Sequence, residues 1–225
     1  MLDPALIRTR RLALEAELAA AAAIAGGPPA RVLAAVKYLE PDDLAPLAEA
    51  GVTLVGENRV EQLVEKQASG VTGLEWHFIG HLQSRKAREL VGRVALIHSL
   101  STLSAAERLQ RFGEAEVACL VEVNVAGEHS KAGLAPGELD AFLEQLTGLD
   151  RIAVRGLMTM PPLAADPAES RGAFAALREL AGTLSGRWAG RFTFGELSMG
   201  TSQDYAVAAE EGATIVRVGS TLVRG

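Results

Sequence analysis

Lys37 stands in an apolar run, Val32-Leu33-Ala34-Ala35-Val36-Lys37-Tyr38-Leu39, that reads as a first buried strand with the lysine at its C-terminal end. The chain has four lysines against eighteen arginines, so where charge alone is needed it mostly uses arginine. An ammonium is rarely buried without a partner, and burial disfavours its charged form. An amine kept partly neutral is a nucleophile able to form a Schiff base with an aldehyde. The plain alternative is a strand-capping lysine whose amine reaches water.

Two further groups lie near the C-terminus. Ser198, Gly219 and Ser220, with Met199 and Thr221 beside them, follow the last two strand-like runs. Glycine and hydroxyl residues ahead of helix starts expose backbone N–H groups to anions, although the same residues also simply turn chains. Arg217 lies inside Thr214-Ile215-Val216-Arg217-Val218, where a guanidinium must find acceptors. It forms either a structural ion pair with Glu196 or Glu122, or a hydrogen bond to a ring nitrogen that it keeps unprotonated. An imine-forming lysine, a phosphate cradle and an arginine facing a ring nitrogen together fit pyridoxal 5′-phosphate (PLP), which has an aldehyde, a phosphate and a pyridine.

The elements that position these groups alternate. Strand-like runs fall near 31–37, 52–56, 75–79, 94–98, 117–123, 152–158, 192–196 and 213–218. Helix-like stretches lie between them, near 41–50, 57–69, 83–92, 102–112, 136–147, 167–185 and 202–211, after a leading helix over 3–25. Ser101, Pro136 and Asp166-Pro167 read as helix-start signals. Eight near-continuously apolar strands alternating with helices predict a parallel sheet covered on both faces. At this length the expected fold is α/β: a single (β/α)8 TIM-type barrel over 1–225, with 1–27 as an extra N-terminal helix. The rival is a doubly wound open sheet, but no Gly-x-Gly-x-x-Gly follows the first strand. In a barrel, ligands bind where the strands end. Strands one and eight are neighbours, which brings Lys37 close to the phosphate group.

Composition narrows the function. Apolar residues make up 48% of the 225 and charged residues 22%, ordinary for a globular protein. A net charge of −6 argues against non-specific nucleic-acid binding. No run approaches a membrane span, and no Cys/His spacing suggests a metal. One cysteine, Cys119, in a strand-like setting fits a reducing cytoplasm. No stripe of surplus apolar residues stands out, so a monomer is expected.

At Gly56-Glu57-Asn58, Trp76 to Lys86, Val123-Asn124-Val125, Ser130-Lys131-Ala132-Gly133, Arg155 to Pro161, Leu197-Ser198-Met199-Gly200 and Val216-Arg217-Val218-Gly219, the chain resembles the YggS/PROSC family of PLP homeostasis proteins over nearly its whole length. The family resembles the barrel domain of bacterial alanine racemase, a fold-type III PLP barrel, without that enzyme's second β domain. The resemblance implies that Lys37 holds PLP as a Schiff base. It also implies that Ser198, Gly219 and Ser220 bind its phosphate, that Arg217 faces the pyridine nitrogen, and that Asn58 lies near the cofactor's face or its lysine. This chain departs from the family at Val36-Lys37-Tyr38, at His81, at Ser220 and at Leu222 to Gly225.

The expected function is PLP binding in homeostasis with little or no catalysis, exchanging PLP with apoenzymes or amino acids. A small fold-type III racemase is the alternative. Racemization needs a proton donor and acceptor on each face of Cα, and Tyr38 is expected to point away from Lys37 across the strand. A Schiff-base aldolase for a phosphosugar is a more remote third. His77 reads as structural, whereas His81 is open between structural and general-base roles. Lys86 with Arg85 and Arg88 reads as a solvated helix face or a second anion site. The Ser130-Lys131 loop reads as a turn or a lid.

Overall fold

A computed structural model describes residues 2–127, 132–162 and 165–223. Eight parallel strands close in sequence order: β1 (Arg31–Ala35), β2 (Leu54–Glu57), β3 (Glu75–Phe78), β4 (Leu96–Leu100), β5 (Val117–Glu122), β6 (Ile152–Met158), β7 (Glu196–Thr201) and β8 (Ile215–Val218). Strand β8 pairs with β1, with Leu33 opposite Arg217 and Ala34 opposite Val218. The expected barrel is the fold, with an extra helix α1 (Pro4–Ala25) leading it.

The other helices are α2 (Leu44–Glu49), α3 (Val60–Gln67), α4 (Ala87–Leu90), α5 (Leu103–Phe112), α6 (Leu139–Leu146), α7 (Arg171–Arg187), α8 (Tyr205–Glu210) and α9 (Ser220–Val223). Most are shorter than their apolar periodicity suggests, because 3₁₀ turns at 41–43, 84–86, 136–138 and 167–170 precede α2, α4, α6 and α7. Asp166 caps its turn as expected, accepting from the Ala168 N–H. The cap of α5 is Thr102 rather than Ser101, since its hydroxyl accepts from the Ala105 N–H. Helix α1 starts on the Asp3 carboxylate and ends at Gly26 in the left-handed region. It lies along the outside of the barrel, tied to α8 by Tyr205 and Glu17 and to α2 by Arg8 and the Glu49 carbonyl.

Two strands differ from expectation. Strand β1 ends at Ala35, not Lys37, because the Val36 carbonyl accepts the Leu39 N–H and the chain turns. Strand β7 runs 196–201, not 192–196. Phe192 and Phe194 are buried, which gives 192–194 its strand-like look, but ladder pairing with β6 starts at Glu196.

Apolar residues separate into two bodies. One lies between strands and helices. The other, Leu33, Leu54, Leu96, Leu120, Met158 and Ile215, comes from strands alone and is therefore the plug inside the barrel. Leu120 is fully buried in that plug. Leu120→Ala is expected to cost about 2–5 kcal/mol, as cavity-forming truncations do, read as a lower urea midpoint with an unchanged slope. A cost below about 1 kcal/mol would mean that the interior is not close-packed.

Candidate functional site

The chemistry-bearing residues meet at the C-terminal mouth of the barrel. Lys37 occupies the first corner of the Val36–Leu39 turn and is exposed. This corrects the expectation of a buried strand lysine, so desolvation by the strand is not what would make its amine reactive. Tyr38 is also corrected. It does not point away across a strand, because the turn sets the Lys37 Nζ 4.8 Å from the Tyr38 ring centroid.

A buried ion pair fixes the stem of this turn. Lys66 Nζ on α3 lies 2.5 Å from Glu57 Oε2 at the end of β2 and donates to the Val36 carbonyl at 2.7 Å. Lys66 is 3% exposed and Glu57 not at all. Glu57 Oε1 accepts from the backbone N–H groups of Asn58 and Arg59. One charge pair thus joins the residue before Lys37 to the residue that carries Asn58. Asn58 Oδ1 is buried and accepts no hydrogen bond among the described residues. Gly80, in the loop after β3, passes so close that a Cβ there would lie 2.0 Å from the Asn58 carbonyl oxygen, so only glycine fits.

Arg217 points into the barrel interior near its mouth. It donates through Nη1 to the Ser198 carbonyl at 2.9 Å and to Ser198 Oγ at 2.6 Å, and through Nη2 to the Thr159 carbonyl at 2.9 Å. Its alternative ion-pair partners do not hold it. Glu196 pairs with Arg31 at the other end of the barrel, and Glu122 forms no salt bridge with it among the described residues. Burial lowers the Arg217 pKa to about 10, still cationic at neutral pH, with Asp204 and Glu122 as the nearby negative charges. Three of its five N–H donors are spent, which leaves two for a ligand. Burial also raises the Glu122 carboxyl, and its Oε2 has no partner among the described residues.

The expected phosphate group is rearranged. Ser198 is fully buried and its hydroxyl lies between Arg217 and His98, so this side chain faces the interior rather than an anion at the mouth. Met199 is fully buried in the layer between strands and helices, because alternation turns it outward from Ser198. Gly219 and Ser220 are where expected, half-buried and exposed at the end of β8.

Ser202 was missed. Gly200, at φ +86°, swings the chain at the end of β7, and the buried Asp204 carboxylate holds the loop by accepting from Thr201. Ser202 Oγ then meets the Gly219 N–H at 3.1 Å, and the Thr221 hydroxyl donates to the Ser202 carbonyl. Gly200-Thr201-Ser202, a glycine followed by two hydroxyl residues after a strand, is the sequence signal for this loop. Ser202, Gly219, Ser220 and Thr221 thus form one polar group across the loops after β7 and β8, a common phosphate position in barrels.

Lys86 is paired with Glu61 and Glu89, so its charge is already met, whereas Arg85 only donates to the uncharged Gln83 side chain. His77 is buried and bonded to Glu75 and His98, while His81 is exposed in the loop after β3, close enough to Glu122 to act on its carboxyl. The Ser130-Lys131 loop lies outside the described residues.

The donor set suits a phosphorylated heteroaromatic aldehyde, and similarity points the same way. Residues 10–225 match the family described as "Alanine racemase, N-terminal domain". A pyridoxal phosphate homeostasis protein of Aquifex aeolicus is 41% identical over 197 residues, covering 86% of both chains. One from Pseudomonas aeruginosa is 39% identical over 213 residues, covering 92% of this chain and 90% of its own. The solved structure of PipY of Synechococcus elongatus with PLP bound has a TM-score of 0.85 and 35% identity, covering 96% of this chain and 99% of that one. The chain belongs to the pyridoxal phosphate homeostasis protein family, within the alanine racemase N-terminal domain class.

Lys66→Met would strand the Glu57 carboxylate and is expected to cost about 3–5 kcal/mol of stability. The double change Lys66→Met with Glu57→Gln should recover part of that loss, because the amide oxygen still accepts from Asn58 without carrying charge. Equal urea midpoints for the single and double variants would count against the buried pair as the clamp on Lys37.

Proposed function

We propose that this protein binds PLP as a Schiff base on Lys37 and serves intracellular PLP homeostasis as a carrier with little or no turnover. The observation that carries this reading is convergence. Strand β1 leads into Lys37, while the paired strand β8 holds Arg217 and leads into Gly219 and Ser220, with Ser202 beside them. Asn58 adds a buried acceptor that lacks a partner among the described residues, as expected of a side chain whose bond belongs to a ligand.

Bound PLP supplies an aldehyde for an amine and an electron-withdrawing ring. The chain's residues divide the rest of the work. Lys37, exposed at the mouth, offers its amine to incoming aldehyde and leaves it accessible to amines or apoenzymes that would take PLP away. Arg217, cationic at neutral pH, would donate to the ring nitrogen and keep its proton, so that nitrogen would stay an acceptor and the ring a weak electron sink. Ser202, Gly219, Ser220 and Thr221 would hold the phosphate. The PLP-bound structure of the Synechococcus elongatus relative supports PLP as the ligand.

A racemase reading needs a second acid–base group across Cα from the lysine. Tyr205 is committed to Glu17 on the outside of the barrel, and Tyr38 lies against the lysine itself. Both placements favour the carrier. A cytoplasmic home fits the single, fully buried cysteine. No helix among the described residues is long and apolar enough to cross a membrane.

Fluorescence titration should give saturable PLP binding that weakens about tenfold or more in Ser202→Ala, the worth of a charge-assisted hydrogen bond. Pyridoxal, which lacks the phosphate, should not distinguish that variant from wild type. Equal PLP affinity in both proteins would move the phosphate elsewhere. For turnover, alanine incubated with PLP-loaded protein in D₂O should gain deuterium at Cα no faster than with free PLP. Faster exchange that disappears in Lys37→Ala would establish the racemase instead.

A further inference from the structure

The barrel interior carries a polar thread that ligand binding does not explain. Glu75 at the floor meets His77 Nε2 at 2.9 Å, and His77 Nδ1 meets His98 Nε2 at 2.9 Å. His98 Nδ1 meets Ser198 Oγ at 2.8 Å, which accepts from Arg217 at 2.6 Å. His77, His98 and Ser198 are almost completely buried, while the Glu75 side chain is half exposed. His77 also lines a cleft of about 480 Å³ that opens on the floor with Arg31, Glu75 and Glu196. The thread therefore runs from solvent at one end of the barrel to the guanidinium near the other.

Its direction is determined by its ends. An arginine can only donate and an ionised carboxylate can only accept. Neutral histidine and serine each have one N–H or O–H to give along the thread. Four bonds joining five groups are then satisfied in one arrangement. Arg217 donates to Ser198, Ser198 to His98 Nδ1, His98 Nε2–H to His77 Nδ1, and His77 Nε2–H to Glu75. A second proton on His77 would reverse the two bonds above it and leave the Ser198 hydroxyl without an acceptor in the thread. Such an orphaned buried donor is costly. The charges around the rings are Glu75, Arg31 and Glu196 at His77, and Arg217 and Arg31 at His98. Burial lowers the basicity of both rings, that of His98 well below the usual range, which agrees with two neutral imidazoles.

We propose that Ser198, His98 and His77 are positioning residues that hold Arg217 through a one-way hydrogen-bond chain, and that this chain couples the ligand-facing guanidinium to Glu75 on the opposite face. The chain belongs to the protein itself; only its effect on PLP rests on the function proposed above. A change at Glu75 alters the last acceptor, and the polarisation of each bond carries that change upward. At the mouth it alters how firmly Arg217 holds its orientation toward a ring nitrogen.

Nitrogen-15 spectra of the histidine-labelled protein, without PLP, test the chain directly. The sequence has four histidines; single His77→Gln and His98→Gln variants assign the two of interest. Both rings are expected as neutral Nε2–H tautomers, unchanged from about pH 8 to about pH 5, a range in which a free histidine titrates. In Ser198→Ala, His98 should lose its single tautomer. A His98 Nδ1–H tautomer in wild type, or ordinary titration of both rings, overturns the chain.

The coupling is read with PLP added. Glu75→Leu should shift the PLP absorption band or change PLP affinity by about fivefold, the equilibrium worth of one internal hydrogen bond. Glu116→Gln, which disturbs only a surface pair with Arg155, should do neither. Unchanged band and affinity in Glu75→Leu overturn the coupling. Failure of wild type to bind PLP at all would sink the proposed function, while the tautomers still decide the chain.

Discussion

Closure of β8 onto β1 is the constraint on which the site depends. Lys37 and Ser220 are far apart in sequence, yet the β1–β8 ladder places Leu33 beside Arg217 and Ala34 beside Val218. From that last pair the chain has only three residues to go to Lys37 and two to Ser220. An open doubly wound sheet with the same elements would leave its first and last strands apart. Closure also explains the plug of leucine, methionine and isoleucine. Once the sheet closes, the inward side chains of its strands have only one another to pack against.

Above and through that plug the interior is unexpectedly polar, and polar groups out of water must be paired. The pairing is local at each point. Glu57 and Lys66 satisfy one another while tying down the turn that presents Lys37. Arg217 is met by two carbonyls and a hydroxyl rather than by a carboxylate. That choice keeps the guanidinium cationic without neutralising it and leaves donors for a ligand. Such buried pairs are poor sources of net stability compared with apolar packing. Their evident product is fixed geometry around the mouth.

Much of this was legible in the sequence. Eight apolar runs alternating with helical segments specify the barrel because each strand is covered on both faces, and Lys37, Arg217, Gly219 and Ser220 fall at strand ends by simple counting. What escaped depended on local backbone geometry or distant contact. The turn after Val36 needs the Lys66 ammonium, thirty residues away, so β1 looked longer and Lys37 looked buried. Ser198 and Ser202 look alike as residues. Only strand alternation and the bend at Gly200 send one inward and bring the other to Gly219. His98 sits in the apolar run Leu96-Ile97-His98 and signals nothing until His77 and Ser198 arrive from other strands.

The most direct test of the central claim is borohydride reduction of the protein mixed with PLP, followed by digestion and mass mapping of the modified lysine. The barrel geometry predicts one stoichiometric pyridoxyl adduct on Lys37, with Lys66 protected in its ion pair and Lys86 left unmodified. An adduct spread over several lysines, or placed on a lysine other than Lys37, would contradict it.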